Sequence, residues 1–212
     1  MSNEVPEFGW KTARPECSAP YVVPVLKRLA SAVAPPARVL DIGCGNGYNS
    51  NQYKDWGYDV TGIDYSEEGI SIARQQHEGI RFESMPIADD LADQLGGERF
   101  DIVSSTEVCE HLYDPHEWAR AAFNALRPGG IFVLSTPYHG FIKNLTISLT
   151  GGWDTHFDAL RTGGHIKFFS NKTLGTVLTD AGFEDFTFVG AGRAPLLWKS
   201  ILVRARKPAS TG

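Results

Sequence analysis

The chain has 212 residues, 42% of them hydrophobic and 21% charged, and a net charge of −5. That length suits one domain with a sizeable core, and the acidic balance excludes a general pull toward nucleic acid or an anionic membrane. Three scattered cysteines, Cys17, Cys44 and Cys109, form neither a disulfide framework nor a zinc pattern.

The start, Met1-Ser2-Asn3-Glu4, has no basic or apolar leader character. No apolar run approaches the ~18 residues of a membrane span, so a cytoplasmic location is expected. Residues 1–19 read as irregular, with Trp10 a candidate to fold over a ligand mouth. Apolar positions 22, 25, 26, 29, 30 and 33 make a helical stripe over Tyr21 to Val33, ended by Pro35-Pro36. A strand at 38–42 and a helix at about 47–56 follow, then a strand at 59–63. The next helix, 66–76, has Ser66 as N-cap and Glu67-Glu68 in its first turn. A strand at 79–83, a short helical piece near 88–95 and a strand at 100–105 continue the alternation. Asp114-Pro115 starts a helix over about 115–126, and a strand at 130–135 succeeds it.

Residues 137–169 break the rhythm. They are rich in glycine, aromatics and histidine, as in a substrate-side lid, and Phe141, Leu145 and Leu149 fall at i, i+4 and i+8. A helix at 171–181 ends at Gly182. Two final strands, 183–189 and 198–205, have no helix between them and should pair antiparallel. The expectation is an α/β fold in one domain over 1–207: a Rossmann-like, seven-stranded, mostly parallel sheet with one antiparallel strand near the C-terminus and helices on both faces. Residues 208–212 are expected to be a disordered tail.

The most informative stretch is Val39-Leu40-Asp41-Ile42-Gly43-Cys44-Gly45-Asn46-Gly47, followed by a second acid, Asp64, at the end of the next apolar run. Strand, glycine turn, helix, strand and acid is the layout of a nucleotide site at the mouth of a parallel sheet. A dinucleotide fingerprint would need glycine where Tyr48 stands. The carboxylate of Asp41 would repel a pyrophosphate but suits a cation. S-adenosylmethionine carries an ammonium, a sulfonium and no phosphate. Cys44 reads as a small space-filler.

With VLDIGCGNG at 39–47, GIDYS at 62–66, FDIVSSTEVCEHLYDP at 100–115 and LRPGGIFVLSTP at 126–137, the chain resembles the class I S-adenosylmethionine-dependent methyltransferases over nearly its whole length. The E-x-x-E-H-x-x-D-P run and GGHIKFFS at 163–170 resemble the ubiquinone-biosynthesis O-methyltransferase branch. The resemblance implies that Asp41, Gly43, Cys44, Gly45, Asn46 and Gly47 line the methionine and ribose. It also implies that Asp64 holds the ribose hydroxyls, Tyr65, Ser84 and Met85 border the adenine, and Thr106 and Glu107 approach the methionine end. It further implies an enzyme that releases S-adenosylhomocysteine, with an aromatic or quinone-like hydroxyl as the acceptor. An N-methyltransferase on a small molecule, or a cofactor-binding protein without methyl transfer, remain the alternatives.

For a phenolic acceptor the O–H must be weakened. If the turn after the fourth strand is helical, Glu107, Glu110 and His111 share a face and can bind a divalent cation. Without metal, His111 can be the base; a third reading makes Glu110 and His111 caps of the loop before Asp114. His139 and His165 are second-rank bases. Lys143, Arg161 and Lys167 beside the lid aromatics would allow weak peripheral membrane contact. The sequence leaves the oligomeric state open.

Overall fold

The computed structural model describes residues 9–157, 160 and 163–209. One seven-stranded sheet collects β1 (Arg38–Ile42), β2 (Asp59–Asp64), β3 (Arg81–Ser84), β4 (Phe100–Thr106), β5 (Leu126–Pro137), β6 (Glu184–Ala191) and β7 (Ser200–Arg206). Their order is β3-β2-β1-β4-β5-β7-β6. β7 runs antiparallel to both β5 and β6, and the other pairings are parallel. The strand order reverses between β1 and β4, which opens a crevice at their C-terminal ends.

Alternation along β1 splits the core in two. Leu40 and Ile42 pack with α5 (Pro115–Ala125) and α8 (Asn171–Asp180), while Val39 packs with α1 (Ala19–Ala30) and α2 (Tyr48–Asp55). Trp118 is buried on the α5 side and donates its indole N–H to Ser105 Oγ at 3.0 Å. α3 (Glu67–Gln76) covers β2 and β3, with Ser66 Oγ accepting from Gly69 N as expected of a cap. α4 is the short Leu91–Gln94. Asp114 accepts from the His116 and Glu117 amides, and Pro115 opens α5. A capping box at Ser170 and Thr173 starts α8.

Several boundaries differ from the sequence reading. α1 stops at Ala30 rather than Val33, because the Tyr58 hydroxyl sits under its end and lies 3.2 and 2.8 Å from the Ala30 and Val33 carbonyls. β3 begins at Arg81 rather than 79, since Gly79 holds φ 72° in the turn before it. At the expected tail, the Pro208 carbonyl still accepts from Gly129 N; residues 210–212, like Arg161, lie outside the described residues.

The lid is an excursion closed at its neck. Tyr138 bridges Phe169, and His139 N donates to the Phe169 carbonyl at 2.9 Å. Between them lie α6 (Phe141–Leu149) and the short α7 (Trp153–His156). α6 is amphipathic in the reverse of the expected sense. Its buried residue is Lys143, 5% exposed, whereas Phe141 and Leu149 are 76% and 79% exposed. Among the described residues no helix is long and apolar enough to cross a membrane.

Candidate active site

The turn after β1 is built by backbone geometry. Gly43, Gly45 and Gly47 hold φ 74°, 52° and 78°, a region costly for other residues. The amides of Gly43 and Cys44 both donate to the Ile63 carbonyl, at 2.8 and 2.9 Å. Asp64 then clamps the turn: one carboxylate oxygen accepts from Gly45 N and the other from Ser66 N, each at 2.8 Å. Asp64 therefore has a structural task beside any ribose contact, and a ligand hydroxyl would have to share its lone pairs.

Asp41 stands one strand over, 1% exposed, its carboxylate accepting from Ser50 Oγ at 2.7 Å. Burial pushes its pKa up to about 7, opposed by the serine hydrogen bonds and reinforced by the charge of Asp64. Two carboxyls at neighbouring strand tips make a site suited to a positive ligand. Cys44 fills space beside Gly62 and is buried, as the sequence implied.

Asn46 is buried within the turn. Its side-chain amide donates to the Thr12 and Arg14 carbonyls, both at 2.9 Å, and so ties down the N-terminal strap. The strap carries Trp10 onto the turn: a Cβ at Gly45 would meet the indole at 2.2 Å. A cleft of about 310 Å³ opens between the strap and Asn46. Tyr65 is 44% exposed beside Asp64. The Met85 amide donates to the Asp64 carbonyl at 2.9 Å while its side chain packs against the core. Ser84 is exposed at the tip of β3. Thr106 closes β4 with its Oγ1 buried and unpartnered.

The turn after β4 departs from the helical expectation. Cys109–His111 is a single 3-10 turn, and Glu107 precedes it with φ 55°. That left-handed residue sends the carboxyl to β5, where Ser135 Oγ donates to Oε1 at 2.7 Å. Burial raises the Glu107 pKa to about 7. Glu107 thus leaves the face of Glu110 and His111, and His165 takes its place. The ligand atoms of Glu110, His111 and His165 lie within 4.8 Å of one another. Glu110 is 1% exposed; Thr136 Oγ1 donates to its Oε2 at 3.0 Å, and Oε1 has no partner.

His111 Nδ1 lies 2.9 Å from the Gly163 carbonyl. A carbonyl can only accept, so Nδ1 carries the hydrogen and the neutral ring's basic lone pair belongs to Nε2. The His165 ring meets the His111 ring edge-on, centroids 4.9 Å apart. Ile166 N and Lys167 N donate to the Glu110 carbonyl at 2.8 and 3.0 Å. The far end of the lid is thereby fastened to this turn. His139 sits apart, buried, with Nδ1 3.2 Å from Asn144 Oδ1. Its burial lowers its pKa to about 4, too low for a base matched to neutral pH.

Lys143 was read from sequence as a membrane-facing cation; instead its ammonium is buried and donates to the Tyr138 carbonyl at 2.7 Å. No local pattern marks this, because Lys143 lies across the helix from the stripe of Phe141, Leu145 and Leu149 that would ordinarily face inward.

Residues 16–187 match the family described as a methyltransferase domain. A ubiquinone biosynthesis O-methyltransferase of Cereibacter sphaeroides is 33% identical over 165 residues, 76% of this chain and 66% of that protein. Its namesake from Pseudomonas aeruginosa is 34% identical over 164 residues, 75% of this chain and 69% of the relative. The match thus spans about two thirds of these curated relatives' length. Among solved structures, magnesium protoporphyrin IX methyltransferase of Synechocystis, with bound S-adenosylhomocysteine, superposes with TM-score 0.64 at 21% identity, covering 88% of this chain and 81% of that one. The N-methyltransferase NodS of Bradyrhizobium japonicum, also with S-adenosylhomocysteine, gives 0.62 at 21% identity, covering 87% and 85%. At such identity these two speak for the fold alone.

Proposed function

From the premise that the chain belongs to the class I S-adenosylmethionine-dependent methyltransferases, we propose that it moves the donor's methyl group to a hydroxyl of an aromatic or quinone-like small molecule. The observation that carries the reading is the pair of carboxyls, Asp41 and Asp64, flanking a left-handed glycine turn. The donor's cationic end lies toward Asp41, its ribose toward Asp64, and its adenine against Tyr65, Ser84 and Met85. Thr106 and Glu107 border the methionine end.

A sulfonium methyl is already electrophilic, so the protein's main task is alignment, worth up to ~7–11 kcal/mol. The acceptor approaches under the lid. His111 Nε2 receives the hydroxyl proton as the oxygen attacks, a contribution of about 10²–10⁴-fold. The Gly163 carbonyl holds the ring in the tautomer this requires.

The orphaned Glu110 Oε1 favours a second version of the same reaction. A divalent cation fits Glu110, His111 and His165, with His165 in the place first expected for Glu107; when bound it would supply Lewis acidity toward the acceptor oxygen. The exposed apolar face of α6 suits an acceptor with a lipid-like tail, or shallow contact with a membrane surface.

Calorimetry with S-adenosylmethionine, S-adenosylhomocysteine and NAD tests the donor. Radiolabelled methyl transfer to matched phenols and anilines tests the acceptor atom. Binding of NAD alone would overturn the donor reading, and methylation of the anilines alone would overturn the hydroxyl.

A further inference from the structure

α2 begins at Tyr48, directly after the glycine turn, and no side chain caps its first amides. Ser50 and Tyr53 lie three positions apart on it and so share a face, and both are fully buried. That face meets the end of β1, where Ser50 Oγ donates to Asp41 Oδ2 at 2.7 Å. Within the sheet, Asp41 is in register with Ser104 of β4, so the two side chains stand beside each other on one face. Ser104 is fully buried as well. The Tyr53 ring is set edge-on to both Trp56 and Tyr58, at centroid distances of 5.0 and 6.0 Å.

Three hydroxyls from α2 and β4 thus accompany one buried carboxyl, and they are unequally engaged. Ser50 bonds to the acid, whereas among the described residues Ser104 Oγ and the Tyr53 hydroxyl have no hydrogen-bond partner. A buried hydroxyl left unpaired is costly, so packing alone would be served as well by alanine and phenylalanine. A hydroxyl carries one hydrogen and two lone pairs. By turning that hydrogen it accepts from a protonated carboxyl or donates to an ionised one, without moving a heavy atom. Of the groups that act on Asp41, Asp64 at the tip of β2 opposes its ionisation, while Ser50 and Ser104 favour it. Cys44 in the turn is kept a neutral thiol by burial and adds no charge.

We propose that Ser50 is a positioning residue for the donor: its hydroxyl holds one oxygen of Asp41 in place and leaves the other for the donor's cationic end, with Ser104 and Tyr53 as hydroxyls that turn toward the acid when it ionises. The inference rests on the methyl-transfer reading above and deepens it, naming a residue that acts through Asp41.

The test titrates S-adenosylmethionine and 5′-methylthioadenosine calorimetrically into the full chain from about pH 5 to about pH 8. The second ligand keeps the adenosine and the sulfur but lacks the amino-acid end and the positive charge. In Ser50→Ala, affinity for S-adenosylmethionine near neutral pH should fall about fivefold or more, and its rise with pH should be displaced upward by about half a unit or more. Affinity for 5′-methylthioadenosine should stay within about twofold of wild type. Ser50→Cys, close in shape but a weaker donor, should fall between the two. If Ser50→Ala shows no cooperative melting transition, Ser50→Cys decides alone. A pH profile that does not move in the folded variant, or equal losses for both ligands, would overturn the proposal. A wild type whose S-adenosylmethionine affinity ignores pH overturns the electrostatic donor reading, and this proposal with it; a rising wild-type profile keeps that reading whatever the variants do.

Discussion

Asp41 offers the most quantitative test of the donor site. Its carboxyl is 1% exposed and titrates at about 7, against an ordinary value of 3.8. That displacement corresponds to about 4 kcal/mol against ionisation in the empty site. The sign follows from proton counts. Between the ordinary and the raised value the folded chain holds a proton that the unfolded chain has lost, so this group's contribution to stability falls as pH rises through that window. A cationic donor reverses the preference by binding the ionised form. Donor affinity should therefore climb as pH rises toward 7 and level off above it. At about pH 5, two units below the raised value, binding should be roughly 100-fold weaker than at the plateau, about 2.7 kcal/mol. Calorimetry across this range, in buffers of different ionisation enthalpy, should show a proton released on binding below pH 7. Asp41→Asn should bind weakly and with little pH dependence, yet melt at higher temperature than the wild type when both are empty near pH 8. A flat affinity profile in the wild type, or a full-strength donor complex in Asp41→Asn, would refute the electrostatic argument.

His111→Gln should cut turnover about 10²–10⁴-fold in a radiometric assay while leaving S-adenosylhomocysteine affinity within a factor of two or so of wild type. Gly45→Ala forces a left-handed alanine, at about 1–2 kcal/mol, and drives its Cβ to 2.2 Å from the Trp10 indole. Its melting point should fall by several degrees, and adding Trp10→Ala should restore the steric part but not the backbone part. If bound metal acts through Glu110, His111 and His165, chelation should lower turnover without changing donor affinity, and Mg²⁺, Mn²⁺ or Zn²⁺ should restore it. Replacing Phe141 and Leu149 with glutamate should weaken sedimentation with anionic vesicles without a change in melting temperature, since both side chains lie in solvent.

Local signals carried much of this. Apolar runs placed the strands and a period-3.6 stripe the first helix, and Ser66, Asp114 and Pro115 marked the starts of two later helices. The glycine turn was legible because its chemistry is written in consecutive residues. What escaped depends on contacts distant in sequence. His111 and Gly163 meet across 52 positions, and no spacing rule joins them. The condition set for Glu107, a helical turn, is not met: one left-handed residue turns its side chain to Ser135 instead. Lys143 was misread because charge is ordinarily a sign of solvent, whereas here carbonyls from Tyr138 and Lys199 make an interior place for it.

The hydrogen bonds that join Gly163, Ile166 and Lys167 to residues 110 and 111 have a consequence for selectivity. A molecule bulky enough to pry that stretch outward also withdraws the oxygen that fixes the imidazole. Oversized compounds would then occupy the protein without being converted, acting as inhibitors rather than poor substrates. Engineering toward larger products would have to give the ring a new anchor at the same time as more room.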